Sequence, residues 1–135
     1  MSALVADTSA LVAIMRDEPD CDWLAQQLKN ASGRLIAAPT AHEFGIVIDS
    51  KPHQKPGSSE RFLRETKIAV LPFDHALAKR AVDAFLRYGK GRHKAALNFG
   101  DCFTYALAEE LGLPILCIGN DFVQTDLPVL RPPAA

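Results

Sequence analysis

The sequence has no hydrophobic run long enough to cross a bilayer, and this absence is the first limit on what the protein can do. A membrane-spanning helix needs about 20 consecutive apolar residues, and no run here approaches that length. The amino terminus also lacks a basic segment followed by a long apolar stretch and a small-residue cleavage site, so secretion is not indicated. These absences predict a protein with no membrane association and a cytoplasmic location.

Cysteine is scarce and forms no metal or disulfide pattern. Cys21, Cys102 and Cys117 are odd in number and contain no C-x-x-C pair. The four histidines share no zinc-like spacing with them; they are His42, His53, His75 and His93. We therefore expect reduced, mostly buried thiols.

Net charge is also nearly absent, at −1 from 15 basic and 16 acidic residues. This balance argues against a uniformly basic surface, but the charges are unevenly distributed. The segment 84–100 contains several bases and no acid, and these bases are Arg87, Lys90, Arg92, His93 and Lys94. Such runs are most often solvated loops, and that interpretation stays open.

The pattern that is present is an alternation of short apolar runs with amphipathic ones. The 135 residues, 48% of them hydrophobic, predict a single domain over 1–135 with a sizeable core. The predicted strands are 2–6, 34–38, 68–72 and 114–118, with a short edge strand at 128–131. The predicted helices are 8–16, 20–31, 40–51, 58–67, 74–88 and 98–112. This alternation predicts an α/β fold, a mostly parallel sheet of four to five strands with helices on both faces.

Two acids stand where predicted strands end. The run "SALVA" leads to Asp7, and "PILCIGN" leads to Asp121. Because sites in parallel sheets lie beyond the carboxyl ends of the strands, both side chains are expected at one edge. Each also has a structural interpretation, Asp7 as the N-cap of the next helix and Asp121 as part of a turn with Asn120.

Glu43 lies early in a predicted helix. Thr40 and Glu43 fit the T-x-x-E capping box, in which the glutamate bonds back to the cap residue. Glu43 also neighbours Ile46 and Val47, and a carboxylate among apolar residues is costly without a partner.

Asp101 lies near the start of the most apolar predicted helix. With Asn98, Thr104 and Tyr105 it makes a narrow polar strip. The structural alternative is that Asn98 caps the helix and Asp101 complements its dipole.

Taken together, these segments resemble the PIN-domain ribonucleases, and within them the VapC-type toxins of type II toxin–antitoxin systems. The resemblance rests on Asp7 with Thr8 and Ser9, on Glu43, on Asp101 in "LNFGDCFTYALA" and on Asp121 in "GNDFVQTDL". It runs from "VADTSALVAI" to the "TDL" at 125–127. No single motif is specific, but the order and spacing of the four acids are.

The resemblance implies a PIN-like fold and a metal-dependent endoribonuclease that hydrolyses RNA phosphodiester bonds. Clustered carboxylates raise one another's pKa, and a divalent cation removes that conflict. Oxygen ligands without a His or Cys set favour Mg²⁺ or Mn²⁺. By the resemblance, Asp7 and Asp101 are the expected metal ligands, and Glu43 and Asp121 complete the catalytic pocket. The sequence leaves open whether one or two ions bind.

Other residues are expected to contact the RNA. Thr8 or Ser9, and Asn98, are candidates to hydrogen-bond a carboxylate or the scissile phosphate. Because an acidic pocket repels a polyanion, nearby bases are needed for flanking phosphates. We expect these to be Lys90, Arg92 and Lys94.

The resemblance further implies a VapB-type antitoxin seated in a groove beside the site, and a homodimer. The apolar positions of such a groove are expected in the early helices, around Leu11, Ile14, Met15, Trp23 and Leu24. Leu11 and Leu24 fit a core better, and Trp23 is the better interface residue.

Two other classes of function stay open. A phosphoryl-transfer enzyme with an aspartyl nucleophile usually carries a second acid two residues later, but residue 9 is serine. A non-catalytic PIN-like module that binds RNA or protein would have the same fold without turnover. Metal-dependent cleavage separates that module from a nuclease.

Overall fold

Five short strands form one parallel sheet in the computed structural model, which describes residues 2–134. The strands are β1 (Leu4–Ala6), β2 (Arg34–Ala37), β3 (Ala69–Leu71), β4 (Ile115–Leu116) and β5 (Val129–Leu130). Their order across the sheet is β3-β2-β1-β4-β5, and every neighbouring pair is parallel. All five predicted strands are therefore confirmed, including the short edge strand.

Six helices connect and cover the strands. They are α1 (Thr8–Met15), α2 (Cys21–Asn30), α3 (Ala38–Asp49), α4 (Ser58–Glu65), α5 (His75–Tyr88) and α6 (Phe99–Leu111). Each corresponds to a predicted helix, because the apolar spacing of three and four residues is preserved in each. A 3₁₀ turn at Phe122–Gln124 was not predicted. No helix within residues 2–134 is long and apolar enough to span a membrane.

The start of α3 differs from the prediction and corrects the interpretation of Glu43 as a capping residue. The helix begins at Ala38, with Pro39 in its first turn, where the missing N–H of proline costs nothing. Thr40 is therefore inside the helix and buried. It cannot act as the N-cap, so the capping box predicted for Thr40 and Glu43 is wrong.

The sheet separates two hydrophobic clusters, as the alternation of side chains along a strand requires. Along β1, Leu4 and Ala6 pack into the cluster with α1 to α4, while Val5 packs into the cluster with α5 and α6. Along β4, Ile115 and Leu116 divide in the same way. Both faces of the sheet are thus covered, as predicted for a parallel sheet.

The strand order places a crevice between β1 and β4. From β1 the chain builds β2 and β3 on one side, then crosses to build β4 and β5 on the other. In open parallel sheets, ligand sites lie beyond the carboxyl ends of the strands at such a switch point. Asp7 follows β1 directly and Asp121 follows β4, so the sheet delivers both predicted acids to one edge.

Candidate active site

Asp7 is both a helix cap and a buried site residue. Its Oδ2 accepts a 3.1 Å hydrogen bond from the backbone N–H of Ser9, and its Oδ1 accepts a 3.0 Å bond from the Thr104 hydroxyl. Only 6% of the residue is exposed. The cap and the site interpretations are therefore compatible, since the capping bond uses one oxygen and the link to α6 uses the other.

Thr104 connects Asp7 to a second buried threonine. The Thr40 and Thr104 hydroxyls are 3.5 Å apart, and each residue is 1% exposed. Helices α3 and α6 thus meet Asp7 through one chain of hydroxyl groups. The sequence alone indicates Thr104 only as part of a polar strip, and Thr40 only as a helix cap.

Glu43 is held by two contacts that its sequence neighbours do not predict. Its Oε1 accepts a 2.5 Å hydrogen bond from the Thr8 hydroxyl, across 35 positions of sequence. A Cβ placed on Gly100 would lie 2.6 Å from Glu43 Oε2 and 3.0 Å from Oε1. The carboxylate therefore packs directly over the backbone of α6, beside Asp101. The absence of a side chain at Gly100 is what makes room for it.

Asp101 shares the start of α6 with its cap. The Asn98 side chain accepts from Asp101 N–H at 2.8 Å, and Asp101 Oδ2 accepts from Asn98 N–H at 3.0 Å, which is a reciprocal capping box. The structural interpretation of this pair is thus confirmed. It does not exclude a site role, because Asp101 Oδ1 takes no part in the cap.

The loop after β4 carries Asp121 to the same edge. Gly119 has a φ of +96°, a conformation that glycine adopts readily. Arg131, which follows β5, donates to Asn120 Oδ1 at 2.5 Å and to Gly119 O at 3.4 Å. Arg131 therefore braces this loop, and nothing in the sequence pattern indicated that role. Asp121 itself is exposed.

The electrostatics show that the four acids face one region. Burial, aided by repulsion from Asp7, Asp121 and Glu43 and opposed by the hydrogen bond from Asn98, raises the pKa of Asp101 to about 7. Burial likewise raises the pKa of Asp7, opposed by its hydrogen bonds to Ser9 and Thr104 and aided by repulsion from Glu43. None of the ion pairs of residues 2–134 involves these four acids, so the site concentrates negative charge.

The four carboxylates fit a hard divalent cation that keeps several water molecules among its ligands. Every candidate ligand is a carboxylate oxygen, which suits Mg²⁺ or Mn²⁺ rather than Zn²⁺. Within residues 2–134, no three His, Cys, Asp or Glu side chains are positioned to hold one ion by themselves. Mg²⁺ commonly binds one or two carboxylates and keeps several waters. Asp7 and Asp101, predicted as the ligands, can supply that number.

The cysteines near the site do not join this chemistry. Burial and the repulsion of Asp7 raise the pKa of the Cys117 thiol to about 12, and burial raises that of Cys102 to about 11. Both thiols therefore stay protonated at neutral pH. The prediction of mostly buried, free thiols is confirmed for these two, whereas Cys21 is half-buried.

The other residues predicted to contact RNA lie in three different environments. Ser9 accepts a 3.1 Å bond from the N–H of Ile118, so its hydroxyl ties α1 to the end of β4. Arg92 Nε donates to Leu86 O at 3.0 Å. Lys90 and Lys94 are exposed and take part in none of the ion pairs of the described residues. Their charges are therefore available to an anionic partner.

Two apolar grooves lie outside the acidic pocket. One, of about 250 Å³, runs between α1, α2 and α4 and is lined in part by Ile14, Leu28 and Phe62. The other, of about 580 Å³, runs between α5 and α6. Leu11 and Leu24 are fully buried in the core, as their sequence context favoured, and so cannot line a groove.

Comparison with known proteins gives a family and relatives for this chain. The PIN domain family matches residues 4–127. Ribonuclease VapC36 of Mycobacterium tuberculosis is 44% identical over 127 residues, which are 92% of this chain and 91% of that protein. Ribonuclease VapC of Mycolicibacterium smegmatis is 43% identical over 126 residues, 92% of this chain and 97% of that protein.

Solved structures share the fold at lower identity. Mycobacterium tuberculosis VapC20, described as a sarcin–ricin loop cleaving toxin, has a TM-score of 0.77 at 14% identity, over 96% of this chain and 99% of that one. VapBC2 from Rickettsia felis, solved with a DNA fragment from its promoter, has a TM-score of 0.72 at 12% identity, over 97% and 98% of the two chains. The predicted α/β architecture is thereby confirmed.

The raised pKa of Asp101 predicts a pH-dependent loss of stability in the metal-free protein. The folded state keeps a proton that the unfolded chain releases, so this contribution is present below about pH 4 and is lost as pH rises through about 7. Asp101→Asn retains an oxygen for the Asn98 N–H but cannot ionise. In EDTA, we expect the variant to unfold at a higher temperature than wild type at pH 8, with a smaller gap at pH 5.

Thermal unfolding followed by circular dichroism across pH 5 to 8 measures that gap. A difference in unfolding temperature between wild type and Asp101→Asn that does not change with pH would contradict the raised pKa of the Asp101 carboxyl group.

Proposed function

We propose that this chain, which belongs to the PIN-domain family and is 44% identical to a VapC ribonuclease, is the endoribonuclease toxin of a VapBC pair and depends on Mg²⁺ or Mn²⁺. The observation that carries the proposal is the convergence of Asp7, Glu43, Asp101 and Asp121 on the switch point of the sheet. Burial and, to a smaller extent, repulsion from the other three acids raise the pKa of Asp101. A divalent cation held by these carboxylates would relieve that repulsion and would offset the charge of an RNA phosphodiester.

Asp7 and Asp101 are the proposed metal ligands. Asp7 is fixed by Ser9 and Thr104, and Asp101 by Asn98. A divalent ion bound there supplies charge neutralisation at the phosphate and activation of a water molecule. The protein's part is to keep the two carboxylates from moving apart, which the capping bonds and the Thr104 bond accomplish.

Glu43 and Asp121 complete the pocket and are proposed to orient the attacking water. The Thr8 hydroxyl donates to Glu43 and so fixes one carboxylate oxygen. Thr8 therefore acts on the site through Glu43 rather than as an isolated phosphate contact. The proposed role of Asn98 is likewise to hold Asp101, since its side chain is occupied by the cap.

Two protein partners are also proposed. The groove between α1, α2 and α4 is largely apolar, and its charged lining residues are Lys29, Arg34, Glu65 and Lys67; we propose that it holds a segment of a VapB-type antitoxin. The groove between α5 and α6 includes exposed Val82, Phe85 and Leu86. We propose that part of it is covered in a homodimer.

The single sheet with both core clusters supports one PIN domain over 1–135.

Cleavage of total cellular RNA by the purified, partner-free chain tests the function. We expect discrete cuts with Mg²⁺ or Mn²⁺, none with EDTA, and none with a folded Asp101→Asn variant. Intact RNA under every condition from the well-folded protein would instead favour a non-catalytic module that binds RNA or protein.

Gly100→Ala tests the position of Glu43. The new Cβ would collide with the Glu43 carboxylate, and a misplaced catalytic group can lower the rate about 100-fold. Thermal stability should not fall, because alanine favours a helix over glycine by about 1 kcal/mol. The matched control is Gly45→Ala in α3, whose Cβ would make only a 3.5 Å contact with Ser59. Unchanged cleavage by Gly100→Ala would exclude Glu43 from the reaction.

Lys90→Gln with Lys94→Gln tests the basic loop. Removing two phosphate contacts should reduce the slope of log affinity against log salt by about 1.4, at about 0.7 per contact for a single strand. Metal affinity should stay the same, because within the described residues neither lysine side chain forms an ion pair with one of the four carboxylates. Salt-dependent RNA binding and calorimetric metal titration measure the two quantities. Loss of metal affinity with unchanged RNA binding would contradict the assignment.

A further inference from the structure

Phe99 is an exposed aromatic residue beside the acidic pocket. It is the first residue of α6, directly after the Asn98 cap and two positions before Asp101. The residue is 80% exposed, the most of any large hydrophobic residue in the described chain. It contributes little to the core, so its size and position need another explanation.

The ring is held in place by two other aromatic rings. Phe99 meets Phe103 edge to face, with centroids 4.8 Å apart and an interplanar angle of 85°. Phe103 meets Phe73 in the same way, at 5.1 Å and 85°. Phe73 and Phe103 are partly buried against the core cluster of α5 and α6. Phe99 is thus anchored at one edge while most of its surface stays open to solvent.

Phe99 also forms a wall of a cavity that reaches Glu43. This cavity, of about 370 Å³, is lined in part by His42, Glu43, Phe99, Gly100 and Phe103. The Glu43 carboxylate packs over the backbone of Gly100, the residue before Asp101, where an added Cβ would lie 2.6 Å from its Oε2. A molecule that contacts the Phe99 ring in this cavity therefore lies next to Glu43 and next to Gly100, one residue along α6 from the proposed metal ligand Asp101.

The charges around Phe99 favour a nucleic acid as its occupant. The basic loop with Lys90 and Lys94 leads directly into α6, and the acids on the other side would carry a cation. Charged groups are depleted at the cores of protein interfaces. Proteins that bind single strands combine basic grooves with aromatic side chains on which bases stack.

We propose that Phe99 is a stacking platform for a nucleobase of single-stranded RNA, next to the phosphate that is cleaved. The proposal rests on the proposed ribonuclease function and adds to it a subsite for a base. The competing occupant is a second copy of this chain, because Phe99 also borders the apolar groove between α5 and α6. Stacking of a base needs an aromatic face, whereas a protein interface needs only apolar area. A variant that keeps the apolar area but removes the aromatic face therefore distinguishes an RNA base from a second copy of the chain.

The test compares three variants, each in the Asp101→Asn background with Mg²⁺ so that RNA is bound but not cut. Phe99→Leu keeps apolar area and removes the aromatic face. Phe99→Trp keeps the face. Leu111→Ala is the matched control, since Leu111 is 40% exposed at the end of α6 but lines neither the apolar groove between α5 and α6 nor the cavity with Glu43.

The probes are a short single-stranded RNA of mixed sequence and an abasic ribose-phosphate oligomer of the same length. We expect Phe99→Leu to weaken RNA binding about fivefold or more, the loss of one base stack of about 1 kcal/mol. Binding of the abasic oligomer should not change. Phe99→Trp should bind RNA as the parent does, and Leu111→Ala should leave both affinities unchanged.

If Phe99→Leu weakens binding of the RNA and of the abasic oligomer equally, or leaves RNA binding unchanged, Phe99 is not a stacking platform. If unchanged RNA binding comes with weaker self-association of a Phe99→Ala variant in sedimentation, the occupant is a second copy. Cleavage by the chain with Asp101 intact separates the two proposals. An RNA-cutting wild type with unchanged KM in Phe99→Leu rejects the platform alone, and a base-dependent binding loss without any cleavage by wild type rejects the nuclease alone.

Discussion

The hydrogen bond from Thr104 to the buried Asp7 carboxylate joins the centre of the sheet to the helix that carries Asp101. Asp7 is almost fully buried, and a buried carboxylate without partners would be strongly destabilising. Thr104 and the Ser9 N–H satisfy its oxygens, and the Thr40 hydroxyl extends this chain of contacts to α3. The three elements that supply Asp7, Glu43 and Asp101 are thereby held against one another.

The same arrangement explains why capping and site chemistry share residues. Asp7 caps α1, and Asp101 completes the cap of α6, yet each has lone pairs left for a ligand. A helix start supplies N–H groups that stabilise a carboxylate in one orientation. That rigidity is useful where two like charges must stay close, because their repulsion would otherwise separate flexible side chains.

The strands and helices could be predicted because each follows from local periodicity. Alternation along "SALVA" and spacing of three and four along "NFGDCFTYALAEEL" are properties of neighbouring residues. The start of α3 was missed because Thr40 and Glu43 fit a capping box on sequence alone, while Pro39 permits an earlier start. Thr40 is instead buried beside Thr104, a contact across 64 positions that no local pattern contains.

The sequence by itself determined the alternating α/β plan and placed Asp7 and Asp121 at strand ends, because strand and helix periods are local. The sequence also allowed the four acids to be identified as one set through their resemblance to a family. Only the tertiary structure decided that Thr8 holds Glu43, that Gly100 leaves room for its carboxylate, and that Phe99 stands exposed beside it. These features depend on how α1, α3 and α6 pack over one edge of the sheet, and packing between distant segments is not encoded in any short stretch.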